Sequence, residues 1–432
     1  MRQTPTRNGV WRWHFYAGVI TLPFLVLLAV TGMIYLFADE IDAISAGRMD
    51  RASAPASAQI TEPLAPERWV RAAEVGTGGR ASQFIMPADP ARAVRITIEH
   101  PDGRLTAFVD PATAQYQGAM AHGGVMATVR DLHSLSILGP FANALIEVVA
   151  GWAIVLVVTG IFLWWPRKGQ EGGIVTVRGT TRQRIFWRDV HAVTGAFVGI
   201  VIAFLAVTGM PWSIIWGDGL RQVINHMDWG RPAVQGLVST GEHQGHDHAE
   251  PWTVQGTAMT SHAPHTASLG QVIAEVEGAA LPRPWTLSLA PRPGEAIRAS
   301  HTGRQVETTR ILHLDPASAR IVSDIGYGDF GPGARAVEWG IAVHQGTQYG
   351  EINRIIMLIG CLGLIALAAS GIISVLRRGR GRLQPPPGDA RIPRTFWLLT
   401  APLLVLYPLT GLSFLVMLAI ERLWLAARAR PI

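Results

Sequence analysis

The chain has 432 residues, 49% hydrophobic and 16% charged, with a single cysteine. One cysteine excludes an internal disulfide and a C-x-x-C-H covalent haem attachment. The formal net charge is +6 and the pI about 10.0, but the basic residues gather in short loops beside apolar runs, which points to a membrane rather than to nucleic acid.

About 20 apolar residues span a bilayer, and five such runs occur, at 14–37, 141–165, 190–216, 352–376 and 396–420. Arg2, Arg7 and Arg12 precede the first. Its apolar length exceeds the roughly 7–15 residues of a signal-peptide core, so residues 1–37 read as an uncleaved first span. Its sequence from Trp13 is "WHFYAGVITLPFLVLLAVTGM". Residues 38–140 are polar and contain "LTAFVDPATAQYQG" from Leu105, a strand, an Asp-Pro turn and a second strand.

The second span, 141–165, follows "DLHSLSILGP" from Asp131 and ends in "VVTGIFLWWPR". The loop 166–189 holds Arg167, Lys168, Arg178, Arg182, Arg184 and Arg188. Short basic loops face the cytoplasm, which places the N-terminus inside as well.

The third span, 190–216, opens with "DVHAVTGAFVGIVIAFLAVTGM" from Asp189. It repeats the first: in each, Thr and Gly stand 17 and 18 residues after a histidine, His14 or His191. The segment 217–351 carries a second hairpin, "RILHLDPASARIVS" from Arg310, and a His-rich insert at 240–267 with His243, His246 and His248. Imidazoles bind transition metals, yet the spacing fits no rigid site, and a solvated polar loop is the alternative. The fourth span, 352–376, follows His344 and contains Cys361. His344 precedes Ser370 and Gly371 by the interval that separates His133 from Thr159 and Gly160.

The loop 377–395 is again basic, the fifth span covers 396–420, and the tail 421–432 carries Arg422, Arg428 and Arg430. Five spans put that tail outside, against the charge rule.

The expected fold is therefore a membrane all-α bundle. Two parallel-repeat helix pairs form a four-helix bundle, a fifth helix is appended, and a small α+β module on the outer side is inserted in each repeat.

Four histidines occupy equivalent positions: His14 with His191 near the inner face, and His133 with His344 near the outer. Two imidazoles facing each other across a pseudo-two-fold axis provide the two axial ligands of a non-covalent haem. Histidines packed at headgroup level are the alternative. Gly18 and Gly195, one turn after His14 and His191, leave the same face clear for a flat macrocycle or for another helix. Arg12, Arg130 and Arg188 precede the histidines and suit carboxylates such as haem propionates; Arg12 and Arg188 also suit interface anchoring. Glu147, inside the second span, is a candidate proton carrier or a solvated end-of-helix group.

These motifs, in this order, resemble the PepSY-associated transmembrane family, which includes iron-regulated membrane proteins and siderophore-iron reductases. The carrying stretches are "WHFYAGV…LAVTGM", "DLHSLSILG…TGIFLWWPR", "RDVHAVTGA…LAVTGM" and the hairpins "VDPATAQ" and "LDPASAR". The resemblance implies PepSY-like periplasmic modules and a bacterial inner-membrane location. It also implies two b-type haems on His14, His133, His191 and His344, and reduction of a ferric siderophore or other metal chelate. The His-rich insert is not part of that pattern. No G-x-G-x-x-G stands in a βαβ context, so a quinol or a separate cytoplasmic reductase would donate the electrons. A membrane-anchored regulator of peptidases or sensor without redox activity, and a metal transporter, are the competing readings.

Overall fold

The computed structural model describes residues 5–52, 65–166, 172–230, 232, 234–239, 251–255, 257–289, 294–378 and 394–428. In chain order, α1 (Pro5–Tyr35) and α2 (Ala38–Ala46) precede α3 (Glu67–Thr77) and the strands β1 (Arg80–Met86), β2 (Val94–His100), β3 (Gly103–Val109) and β4 (Tyr116–Ala121). Then come α4 (Gly124–His133), α5 (Pro140–Trp164), α6 (Arg184–Thr208) and α7 (Ile214–His226). Two short strands, β5 (Leu237–Ser239) and β6 (Thr257–Met259), lead to α8 (Leu269–Gly278) and to β7 (Trp285–Ser288), β8 (Ile297–His301), β9 (Arg310–Leu314) and β10 (Ile321–Gly326). The chain closes with α9 (Pro332–His344), α10 (Gly350–Arg378), α11 (Arg394–Leu406) and α12 (Pro408–Arg428).

Four helices are long and apolar enough to cross a membrane: Arg7–Tyr35, Phe141–Trp164, Arg184–Trp212 and Gly350–Arg378. They close a ring in which α1 and α6 each pack against both α5 and α10. Each helix begins or ends beside a histidine of the repeat, so the ring presents two facing sets of side chains to its centre.

The polar segments differ from two separate modules. Each half supplies one helix and four strands, but the strands join in one eight-stranded antiparallel sheet, β10-β9-β8-β7-β1-β2-β3-β4. Its centre is the pairing of β1 with β7, Phe84 opposite Leu287 and Met86 opposite Trp285. Left apart, each module would expose a strand edge of unpaired N–H and C=O groups. Joined, they share one core in which Phe84, Ile96, Trp285 and Leu312 are buried with Val272 and Val276 of α8. Both expected hairpins form, β3–β4 and β9–β10. Asp110 accepts the N–H of Ala112 at 2.8 Å, and Asp315 that of Ser318 at 2.8 Å.

The fifth span is not a single helix. Phe396 stacks on Phe414 at 5.8 Å and Trp397 meets the same ring at 5.3 Å. In one continuous helix those residues would be about 27 Å apart. Instead α11 and α12 form a hairpin, broken at Tyr407 because Pro408 has no N–H to continue the ladder and starts the next helix. A Cβ at Gly411 would stand 2.4 Å from the Leu404 oxygen, so the close approach of the two arms needs glycine there. Arg12 pairs with Glu421, which returns the end of α12 to the side where α1 begins. Arg422 thus lies on the same side as Arg12, and the charge conflict of a five-span topology disappears.

Candidate functional site

The structure brings the four repeat-related histidines together as two pairs. The ring centres of His14 and His191 lie 6.3 Å apart, and those of His133 and His344 6.5 Å. The ring planes are nearly perpendicular, at 83° and 90°. His133 and His344, at the ends of α4 and α9, sit on the sheet side; His14 and His191 sit on the side of the basic loops. Counting along α1 from His14 to Thr31, which touches His133, separates the pairs by roughly 25 Å.

Each imidazole docks on the Thr-Gly or Ser-Gly step of the other helix in its own repeat. Nδ1 of His14 lies 2.8 Å from the Thr159 hydroxyl, Nδ1 of His133 2.8 Å from Thr31, and Nδ1 of His344 2.9 Å from Thr208. Nδ1 of His191 lies 3.0 Å from the Leu367 carbonyl oxygen and 3.4 Å from the Ser370 hydroxyl. The neighbouring glycine makes room: a Cβ at Gly32, Gly160, Gly209 or Gly371 would come within 3.4 Å of a histidine Cε1.

These contacts fix the tautomer. The hydroxyls of Thr31, Thr159, Thr208 and Ser370 each donate to the carbonyl four residues back, at 2.6–2.7 Å. Their oxygen is left as an acceptor, so each Nδ1 carries the proton. A carbonyl, as at Leu367, admits no other assignment. Nε2 is then the unprotonated nitrogen in all four rings, and none makes a hydrogen bond among the described residues. Lone pairs with the opposite nitrogen anchored are what a metal-ligating histidine presents.

The donor set fits one class of group. A metal–imidazole bond of about 2.0–2.1 Å, plus about 1.1 Å from nitrogen to ring centre, puts two coaxial imidazoles roughly 6.3 Å apart. Each pair supplies two imidazole donors that face one another across a shared gap. Among the described residues no group of three or more His, Cys, Asp or Glu is placed to cage a bare ion. A tetrapyrrole, which carries its own nitrogen donors, would suit such a set. Around the sheet-side pair the bundle holds a cavity lined by His133, His344, Gly32, Gly209, Arg130 and Cys361, and about 210 Å³ of it admits the centre of a water molecule.

Gly18 and Gly195 adjoin the loop-side pair with space to spare: a Cβ there would meet only Leu156 at 3.9 Å or Leu367 at 3.5 Å. The tight helix packing lies elsewhere, at Gly360 and Gly363, where a Cβ would reach Val201 and Val198 at 2.7 and 2.8 Å.

The arginines divide. Arg130 lines the sheet-side cavity. Arg12 pairs with Glu421 and lies over the Tyr16 ring. Arg188 pairs with the buried Asp189 at 2.6 Å, which Arg178 also grips at 2.8 Å. Glu147 is buried and accepts the Trp216 N–H at 3.0 Å. The Ser213 side chain and the backbone of Ile215 and Leu409 also bear on it. One carboxylate thus meets the first turns of α7 and α12, where helix N–H groups lack partners. That placement makes Glu147 a clamp between bundle and hairpin. His243, His246 and His248 lie outside the described residues.

Sequence reasoning missed the hydroxyls of Thr31, Thr159, Thr208 and Ser370, although their spacing from the histidines is the repeat signal itself. It also missed Asn143 and Asn353, which donate to the carbonyls of Ser134 and Val343, each next to a sheet-side histidine, at 2.8 and 2.9 Å. The asparagines are one residue out of repeat register, which hides them.

No curated protein matches the chain. The family model described as the PepSY-associated TM region matches residues 11–378, taking in all four histidines and ending before the C-terminal hairpin. The chain belongs to the PepSY-associated TM region family.

Proposed function

We propose that this protein carries electrons across the bacterial inner membrane through two bis-histidine b haems. It would reduce a ferric siderophore, or another ferric chelate, on the sheet side. The observation behind this reading is the two pairs of facing imidazoles, with ring centres 6.3 and 6.5 Å apart and every Nδ1 anchored on its neighbouring helix, which leaves Nε2 to ligate. Bound there, an iron porphyrin supplies reversible one-electron chemistry without leaving a bare charge in hydrocarbon.

The chain's own residues do the rest. Thr31, Thr159, Thr208 and Ser370, with the Leu367 carbonyl, hold the imidazole planes and raise the basicity of Nε2. Gly32, Gly160, Gly209 and Gly371 let the rings lie against the helices. The eight-stranded sheet offers the surface on which a chelate would dock. The basic-loop side, which we take as cytoplasmic, would meet the donor, a quinol or a separate reductase. Reduction releases the metal because hard oxygen chelators hold Fe(II) far less tightly than Fe(III).

The test is the visible spectrum and porphyrin content of protein purified from haem-replete cells. Two low-spin b haems per chain are expected. The paired substitution His14→Ala with His191→Ala should remove one and spare the other, and reduced protein should be reoxidised by ferric chelates. Colourless protein from such cells would sink the proposal.

A further inference from the structure

At the loop-side end of the bundle, the arginines nearest the histidines in sequence are already engaged: Arg12 with Glu421, and Arg188 with Asp189. Arg378, the last residue of α10, is not. Its guanidinium lies over Trp11 at 4.9 Å and Phe15 at 5.6 Å, three residues before and one residue after His14 on α1. Its Nη2 is buried and has no hydrogen-bond partner among the described residues. The charged group that bears on it is another cation, Arg184, the first residue of α6. Among the described residues no carboxylate pairs with either.

Two facts make this a site rather than an accident of packing. A guanidinium nitrogen withdrawn from water without an acceptor is costly, and a second cation beside it adds to the cost. An oxyanion between them would remove both penalties. The place is also set by the bundle: Arg378 is seven residues past Gly371, against which His191 rests. It therefore sits roughly 10 Å along the helix from the imidazole level, towards the loops. Arg184 is seven residues before His191, at the same level.

We infer that Arg378, assisted by Arg184, binds the carboxylates of the tetrapyrrole held by His14 and His191. This takes over the role that sequence reasoning gave to Arg12 and Arg188. The inference rests on the proposed function. The aromatic faces of Trp11 and Phe15 hold the guanidinium plane in place, and its planar fork matches a carboxylate bidentately. A phosphate from a lipid headgroup offers the same oxyanion chemistry, and the experiment separates the two.

The full chain, carrying His133→Ala and His344→Ala so that only the loop-side pair is read, is titrated with haemin and with haemin dimethyl ester. The free acid should bind about tenfold or more tighter than the ester. Arg378→Gln should bind the acid only as tightly as the ester, and Arg378→Lys should keep part of the difference. Unchanged ester affinity in Arg378→Gln shows that the fold and the histidines are intact. An acid preference that survives Arg378→Gln overturns the inference. So does a variant that loses a co-purifying anionic phospholipid, seen by native mass spectrometry, while keeping its acid preference. If the parent protein binds neither porphyrin, the proposed function fails, and the inference with it.

Discussion

The two halves of the bundle carry the same histidine device on differently packed helices. In the second half α10 lies close on α6: Gly360 and Gly363 face Val201 and Val198 with no room for a Cβ. Moving back by the 211 residues that separate His344 from His133, the equivalents on α5 are Val149 and Trp152, both buried. The Trp152 indole donates to the Ser413 hydroxyl at 2.9 Å and packs beside Phe414. The first half has a large side chain and a covering hairpin where the second has glycine and a bare helix pair. Packing has drifted apart while the imidazoles, their hydroxyl acceptors and the adjacent glycines have not. Symmetry is retained where two imidazoles face one another, and is free to decay where apolar volume alone has to be filled.

The largest effects should come from exchanging the two packing solutions. Trp152→Ala removes a buried indole and its hydrogen bond, at an expected cost of about 3–5 kcal/mol, and loosens the hairpin. Gly363→Val drives a side chain into Val198 and should cost about 1–3 kcal/mol, with Val198→Ala restoring part of it. Thermal unfolding in detergent checks both. If Gly363→Val is neutral, the two halves do not differ as described.

The sheet offers a second contrast. Arg95 lies over the Phe108 ring at 5.9 Å on β2 and β3. In the second half the paired residues are Arg298 and His313. Burial, and then the Arg298 charge, push the His313 pKa down to about 4. The unfolded chain takes up that proton near pH 6.5, the native sheet only near 4. The His313 contribution is therefore intact above pH 6.5 and declines as pH falls towards 4, by up to about 3 kcal/mol. His313→Phe should make the second half resemble the first and flatten this part of the pH–stability profile. An unchanged profile would refute it.

The smallest effect separates the imidazole anchors. His133 depends on the Thr31 hydroxyl, whereas His191 has the Leu367 carbonyl as well as Ser370. Thr31→Val should weaken porphyrin binding at the sheet-side pair about tenfold, and Ser370→Ala should change the loop-side pair by less than about threefold. Equal losses would show that the carbonyl does not anchor His191.

Periodicity alone determined much of this protein. Apolar runs long enough to span a bilayer, a histidine at a constant interval from Thr-Gly, and Asp-Pro turns between alternating strands are local properties. They stated five spans, four of which are single helices long and apolar enough to cross a membrane, together with the facing partners His14 with His191 and His133 with His344, and both hairpins. Tertiary structure decided what depends on groups distant in the chain. The α11–α12 hairpin exists because Phe396, Phe414, Trp13 and Trp152 pack together and Glu421 meets Arg12; hydropathy cannot tell one apolar run from two antiparallel helices. The modules fused because two edges were complementary, which neither edge announces alone. Which arginine is left for an anion was settled by which carboxylates reach Arg12 and Arg188, and ion pairing acts through space, not along the sequence.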